Sequence, residues 1–70
     1  MGYGKALKRI RQSKGLTLLQ VAQKIGCWPS SLSRIENEQR NLKAETLFQL
    51  CNVYGVKPEE VLEEAQKEVS

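Results

Sequence analysis

The chain has 70 residues, a formal net charge of +3 and an apolar fraction of 40%, which suits one small soluble domain and no more. No run approaches the roughly 18 apolar residues that a membrane-spanning helix needs. There is no histidine and only two cysteines, Cys27 and Cys51, so neither a zinc-ligand set nor a cysteine–base pair for nucleophilic catalysis is present, and an enzyme is not expected. No motif points to a cofactor, a metal or a small-molecule ligand. The start MGYGKALKRIR has no apolar stretch behind its basic residues, so it does not read as a signal peptide, and no Ser or Thr stands where a myristoylation motif at Gly2 needs one. The cysteines read as small, reduced, mostly buried residues of a cytosolic protein, with a disulfide between them left open.

The distribution of charge says more than its total. Residues 1–35 carry Lys5, Lys8, Arg9, Arg11, Lys14, Lys24 and Arg34 and no acid, whereas residues 36–70 carry eight acids against Arg40, Lys43, Lys57 and Lys67. A basic half beside an acidic half lets a small protein turn one face to phosphate and keep the other clear of it. A core of this size is marginal alone, so association with a second copy would help.

In chain order, the spacing predicts a first helix over about Tyr3–Ser13, with Tyr3, Ala6, Leu7 and Ile10 as its apolar stripe and Lys14–Gly15 as its stop. The stretch TLLQVAQKIGCWPSSLSRIEN, from Thr17 to Asn37, reads as two short helices around a tight turn. Thr17 is suited to an N-cap, Gln20 completes a capping box, and Leu16 and Val21 are spaced as a hydrophobic staple. Leu18, Val21, Ala22 and Ile25 form one apolar face before Gly26 ends the helix. Proline fits the first position of a helix, so Pro29 opens the next one. There Leu32 and Ile35 face inward, and Ser30, Ser33, Arg34 and Asn37 fall on the other side. A polar loop, EQRNLK from Glu38 to Lys43, leads to a fourth helix over about Ala44–Val53, with Leu47, Leu50, Cys51 and Tyr54 toward the core and Phe48 beside them. Gly55 stops it. Pro58 starts a fifth helix with Glu59 and Glu60 in its first turn, a thin stripe of Val61, Leu62 and Ala65, and Val69 in a tail expected to fray.

A short helix that follows a glycine turn and presents small polar groups plus an arginine has the layout of a helix-turn-helix, whose second helix enters the DNA major groove. The chain resembles the phage repressor and Cro-type (XRE-type) helix-turn-helix family. The matching segments are LT at Leu16–Thr17, VA at Val21–Ala22, IG at Ile25–Gly26, LSRIEN at Leu32–Asn37, RN at Arg40–Asn41, ETL at Glu45–Leu47 and YGV at Tyr54–Val56, in order across residues 5–63. The resemblance implies an all-α, compact five-helix domain of lambda-repressor-like type over residues 1–70, and a cytoplasmic, nucleoid-associated regulator of prokaryotic or phage origin. The partner it implies is double-stranded DNA, bound as a homodimer on a pseudo-palindromic site.

Carried over position by position, the resemblance sets Pro29, Ser30 and Arg34 toward bases, with Ser33 nearby. An arginine can fork onto guanine O6 and N7, though a phosphate contact or a solvated surface position fits Arg34 as well. Phosphate contacts are expected from main-chain N–H groups at the starts of the second and fourth helices and from Thr17, Leu18, Trp28, Asn37, Arg40, Asn41 and Lys43, with Arg9 and Lys24 as weaker guesses. Arg11 and Glu36 match an internal ion pair. Phe48, Val53, Val56, Val61, Leu62 and Ala65 match a pairing surface between copies, with the monomer core as the alternative for each.

Four positions depart from the pattern. Leu18 replaces a glutamine that touches phosphate, Trp28 a helix-capping Ser or Thr, Glu38 a loop glycine and Lys43 a capping serine. Trp28 is expected as a packing edge, with a sugar or base contact as the alternative. The competing reading is a protein-interaction module that keeps the fold with weakened DNA contacts, marked by an exposed patch at Trp28 and Leu18.

Overall fold

Helix punctuation decides the architecture. In a computed structural model that describes residues 3–67, helices α1 (Tyr3–Ser13), α2 (Leu18–Ile25), α3 (Pro29–Glu36), α4 (Ala44–Tyr54) and α5 (Pro58–Lys67) follow one another, and no strand occurs among the described residues. The readings placed on Gly2 and Val69 lie outside the described residues. Expected and observed boundaries differ at two ends. Asn37 caps α3 rather than continuing it, and α4 takes in Tyr54 before the left-handed Gly55. None of these helices is long and apolar enough to cross a membrane.

Each helix gives the core one of its five largest fully buried side chains: Leu7, Val21, Leu32, Leu50 and Val61. Ala6, Ala22, Cys51, Tyr54 and Ala65 complete the cluster, and Leu18, Ile25, Leu47, Val53 and Val56 close over it from the sides. α1 lies against α5 and α3, while α2 lies against α3 and α4, so α3 is held between the first two helices. The stripe expected on α5 therefore divides. Val61 and Ala65, offered as candidates for a pairing surface, are wholly buried within the protomer and cannot belong to one; Leu62 is 43% exposed. The i, i+4 spacing of Val61 and Ala65 sets both onto the side of α5 that meets the core.

α1 approaches α3 closely because residue 4 is glycine. A Cβ on Gly4 would strike the main-chain oxygens of Ile35 and Glu36, the latter at 2.6 Å, so only a bare Cα fits against the end of α3. Burial raises the Cys51 thiol above its ordinary range, with Glu59 and Glu60 adding to the effect, and likewise raises the Tyr54 phenol, with Glu36 adding. Both cysteines are free thiols, Cys51 buried and Cys27 half-buried.

The loop after α3 turns on Glu38, which stands at φ 61° and is the one non-glycine residue with positive φ among those described. A side chain in the left-handed region crowds its own carbonyl and costs about 1–2 kcal/mol. This accounts for the glycine common at the corresponding position of the resembling family. Replacing Glu38 with glycine should therefore raise stability by about 1 kcal/mol, the relief of strain less the added freedom of the unfolded chain. Urea unfolding followed by circular dichroism would check this; a lower midpoint at unchanged slope would contradict it.

Candidate nucleic-acid interface

Two caps and one ion pair set the position of α3. Thr17 stands extended ahead of α2, its Oγ1 accepting from the Gln20 N–H at 3.1 Å while Gln20 Oε1 accepts from the Thr17 N–H at 2.8 Å. The two side chains thus satisfy each other's otherwise orphaned main-chain donors. At the far end of α2, Gly26 takes φ 75°, which turns the chain sharply enough for Pro29 to begin α3 three residues later. The third restraint is Arg11. Its Nε donates to Glu36 Oε2 at 2.8 Å, its Nη2 to Glu36 Oε1 at 3.2 Å, and its Nη1 to the Leu16 carbonyl at 2.8 Å. Both side chains are buried, so one guanidinium joins the end of α1, the entry to α2 and the last turn of α3.

Held in this way, α3 turns Ser30, Arg34 and Asn37 outward, with Pro29 and Ser33 half-buried along the same rod. Arg34 is exposed and paired with no acid among the described residues. Asn37 Nδ2 donates to Ser33 Oγ at 3.4 Å, a long bond that leaves both groups reachable. Beside the start of α3 lies a half-open cleft of about 310 Å³, bounded by the α2–α3 turn, the loop after α3 and the first turns of α4. Trp28, Arg40, Asn41 and Lys43 line it, and Arg40 Nη1 donates to Ser31 Oγ at 3.3 Å. Sequence reasoning passed over Thr46 and Gln49, which also line this cleft. Their spacing of one helical turn on α4 was the available sign.

Several expected contacts are placed differently. Leu18 is half-buried and packs against the core, as its place on the apolar face of α2 implies, rather than standing open toward phosphate or as half of an exposed patch. Trp28 is no packing edge: it is 77% exposed, while Leu19 is the large apolar residue left open on α2 at 54%. Arg9 bonds Glu64 Oε2 at 3.0 Å and the Glu64 carbonyl at 2.8 Å, which ties α1 to α5. At the helix starts, the Thr17 hydroxyl already takes the Gln20 N–H, whereas neither Trp28 nor Lys43 gives its helix a side-chain cap.

Residues 7–61 match the helix-turn-helix family model, and the chain belongs to that family. It is similar to the HTH-type transcriptional regulator ImmR of Bacillus subtilis (strain 168), 36% identical over 62 residues that make up 89% of this chain and 49% of that protein. It is likewise similar to the HTH-type transcriptional regulator PuuR of Escherichia coli (strain K12), 36% identical over 64 residues, 91% of this chain and 35% of that one. The chain thus spans half or less of the length of these curated relatives. Among solved structures, the clp gene regulator ClgR from C. glutamicum superposes with a TM-score of 0.93 at 30% identity, over 99% of this chain and 90% of the other. The membership agrees with the XRE-type resemblance read from the sequence.

Removing one partner of a buried ion pair leaves an uncompensated charge inside and costs on the order of 3–5 kcal/mol. Glu36→Ala should lose about that much, whereas Arg34→Ala, on an exposed position, should stay within about 0.5 kcal/mol of the parent. Denaturant unfolding of the two variants side by side checks the contrast, and equal losses would contradict it.

Proposed function

We propose that the chain is a sequence-specific, double-stranded-DNA-binding transcriptional regulator that inserts α3 into the major groove. The observation that carries this reading is the outer edge of α3, where Ser30 and Arg34, the latter unpaired among the described residues, stand exposed on a buried, rigidly bonded scaffold. Side chains on the outer edge of such a helix reach base edges, and an arginine on that edge, as Arg34 is in the last turn of α3, can bond guanine bidentately. Arg40, Asn41 and Lys43, exposed on the loop beside it, supply cations and donors for the phosphates that fix register. The names of the curated relatives support the same assignment.

One domain of this size makes few base contacts, and pairing two copies across half-sites about one helical turn apart doubles them. A homodimer on a pseudo-palindromic operator is therefore part of the proposal. Its pairing surface would draw on the apolar groups still open on α4 and α5, Phe48 at 56% exposure and Leu62 at 43%, with the half-buried Val53 and Val56 beneath. A second reading, a protein-interaction module on the same fold, is favoured by the exposure of Trp28 and Leu19.

Duplex binding measured against salt separates the two. A DNA reader loses affinity along a log–log slope of about 0.9 per phosphate neutralised, and Arg34→Ala should cost about 1–3 kcal/mol on the preferred site while relaxing preference at one base pair. A uniform loss over all sequences would move Arg34 to a phosphate; no duplex binding at low salt would leave the interaction module. Sedimentation at micromolar concentration tests the pairing, and a strict monomer would remove it.

A further inference from the structure

The indole of Trp28 serves no purpose that the fold reveals. Among the described residues it is the most exposed of the large apolar side chains, at 77%, and it occupies the N-cap of α3 without giving a cap bond. A Ser, Thr, Asp or Asn there would stabilise the helix by satisfying a free main-chain N–H, so tryptophan forgoes that bond and leaves apolar surface in water. What lies beside it indicates an occupant. The adjoining cleft is lined by two cations, Arg40 and Lys43, by the amide side chains of Asn41 and Gln49, and by no acid. An aromatic face next to cations and hydrogen-bond donors is complementary to an apolar sugar next to an anion. The whole lies at the end of α3 that precedes Pro29 and Ser30, where the groove-reading helix begins.

We propose that Trp28 and this cleft form a seat for one strand's sugar–phosphate backbone, the indole lying on a deoxyribose and the cleft taking the adjoining phosphate. The inference rests on the DNA-binding reading above and adds a site to it. It gives this chain an apolar backbone anchor where the resembling family has a small capping hydroxyl. Because the anchor is apolar, it contributes affinity without releasing counterions; Lys43, beside it, contributes through charge.

Trp28 is the sole tryptophan of the chain, so its emission reports this position alone. The test titrates the full chain with a fluorescein-labelled duplex carrying its selected site, reading duplex anisotropy and, with unlabelled duplex, tryptophan emission. We expect the emission to change in step with anisotropy. Trp28→Ala should weaken binding on the order of tenfold, which is what roughly 50 Å² of newly covered apolar surface yields, with the salt slope unchanged. Trp28→Phe should retain most of the affinity, and Lys43→Ala should lower the slope by about 1. The exposure of Trp28 means that thermal unfolding of Trp28→Ala should match the parent. Duplex binding with constant emission and unaltered affinity in Trp28→Ala would overturn the proposal and leave the DNA reading standing. Absence of duplex binding by the parent chain at low salt would overturn both. A change in tryptophan emission produced only by a protein partner would assign the indole to the interaction module.

Discussion

Arg11 reaches from α1 to Glu36 and to the Leu16 carbonyl with three of its donors, and the position of α3 depends on that junction. Burying a guanidinium and a carboxylate is costly, and their mutual attraction returns the cost only when geometry is good and the remaining donors are satisfied. Here both conditions are met. A packed apolar pair of equal volume can match such a pair in stability, but it carries no directional bonds. The bidentate fork fixes the angle between α1 and α3 as well as their separation. Gly4 completes the restraint, since the bare Cα lets the backbone of α1 rest on the main chain of Ile35 and Glu36. A helix that must present two or three side chains to base edges needs this kind of support beneath it.

The same junction organises charge. Arg11 removes one cation and Glu36 one anion from the surface, and Arg9 is drawn onto Glu64, where Lys67 also bonds at 3.4 Å. The acids that remain in solvent lie on the loop after α3, at the start of α4 and along α5, while α2 and α3 keep Lys24 and Arg34 exposed without an exposed acid of their own. The outer surface of α2 and α3 thus carries exposed cations and no exposed carboxylate of its own. A polyanion approaching α3 meets a face with few carboxylates to repel it.

Local chemistry was legible, and tertiary placement was not. Thr17 with Gln20, Gly26, Pro29, Gly55 and Pro58 mark helix ends through caps and φ preferences that act within a few residues, so they could be read directly. The helical period put Val61, Leu62 and Ala65 on one stripe, but only the packing of α5 on α1 separates the buried pair from the exposed leucine. Gly4 gave no local sign, because the approach it permits involves residues more than thirty positions away. Trp28 departs from expectation for a related reason: apolar character predicts burial, as it does correctly for Leu18 on the apolar face of α2, yet the turn at Gly26 leaves Trp28 off the core. At Glu38 the departure from the resembling pattern was visible, and its physical meaning, a side chain held at positive φ, came only with the backbone.

The central claim is that the outer edge of α3 is the surface that meets a duplex. Its most direct test is a map of backbone amide shifts by NMR as a duplex selected from a random pool is added to the full chain. The account predicts changes concentrated from Trp28 to Arg34 and from Arg40 to Lys43, with the amides of α5 outside any pairing surface left in place. Changes confined to α5 and the surroundings of Phe48, with α3 silent, would contradict it.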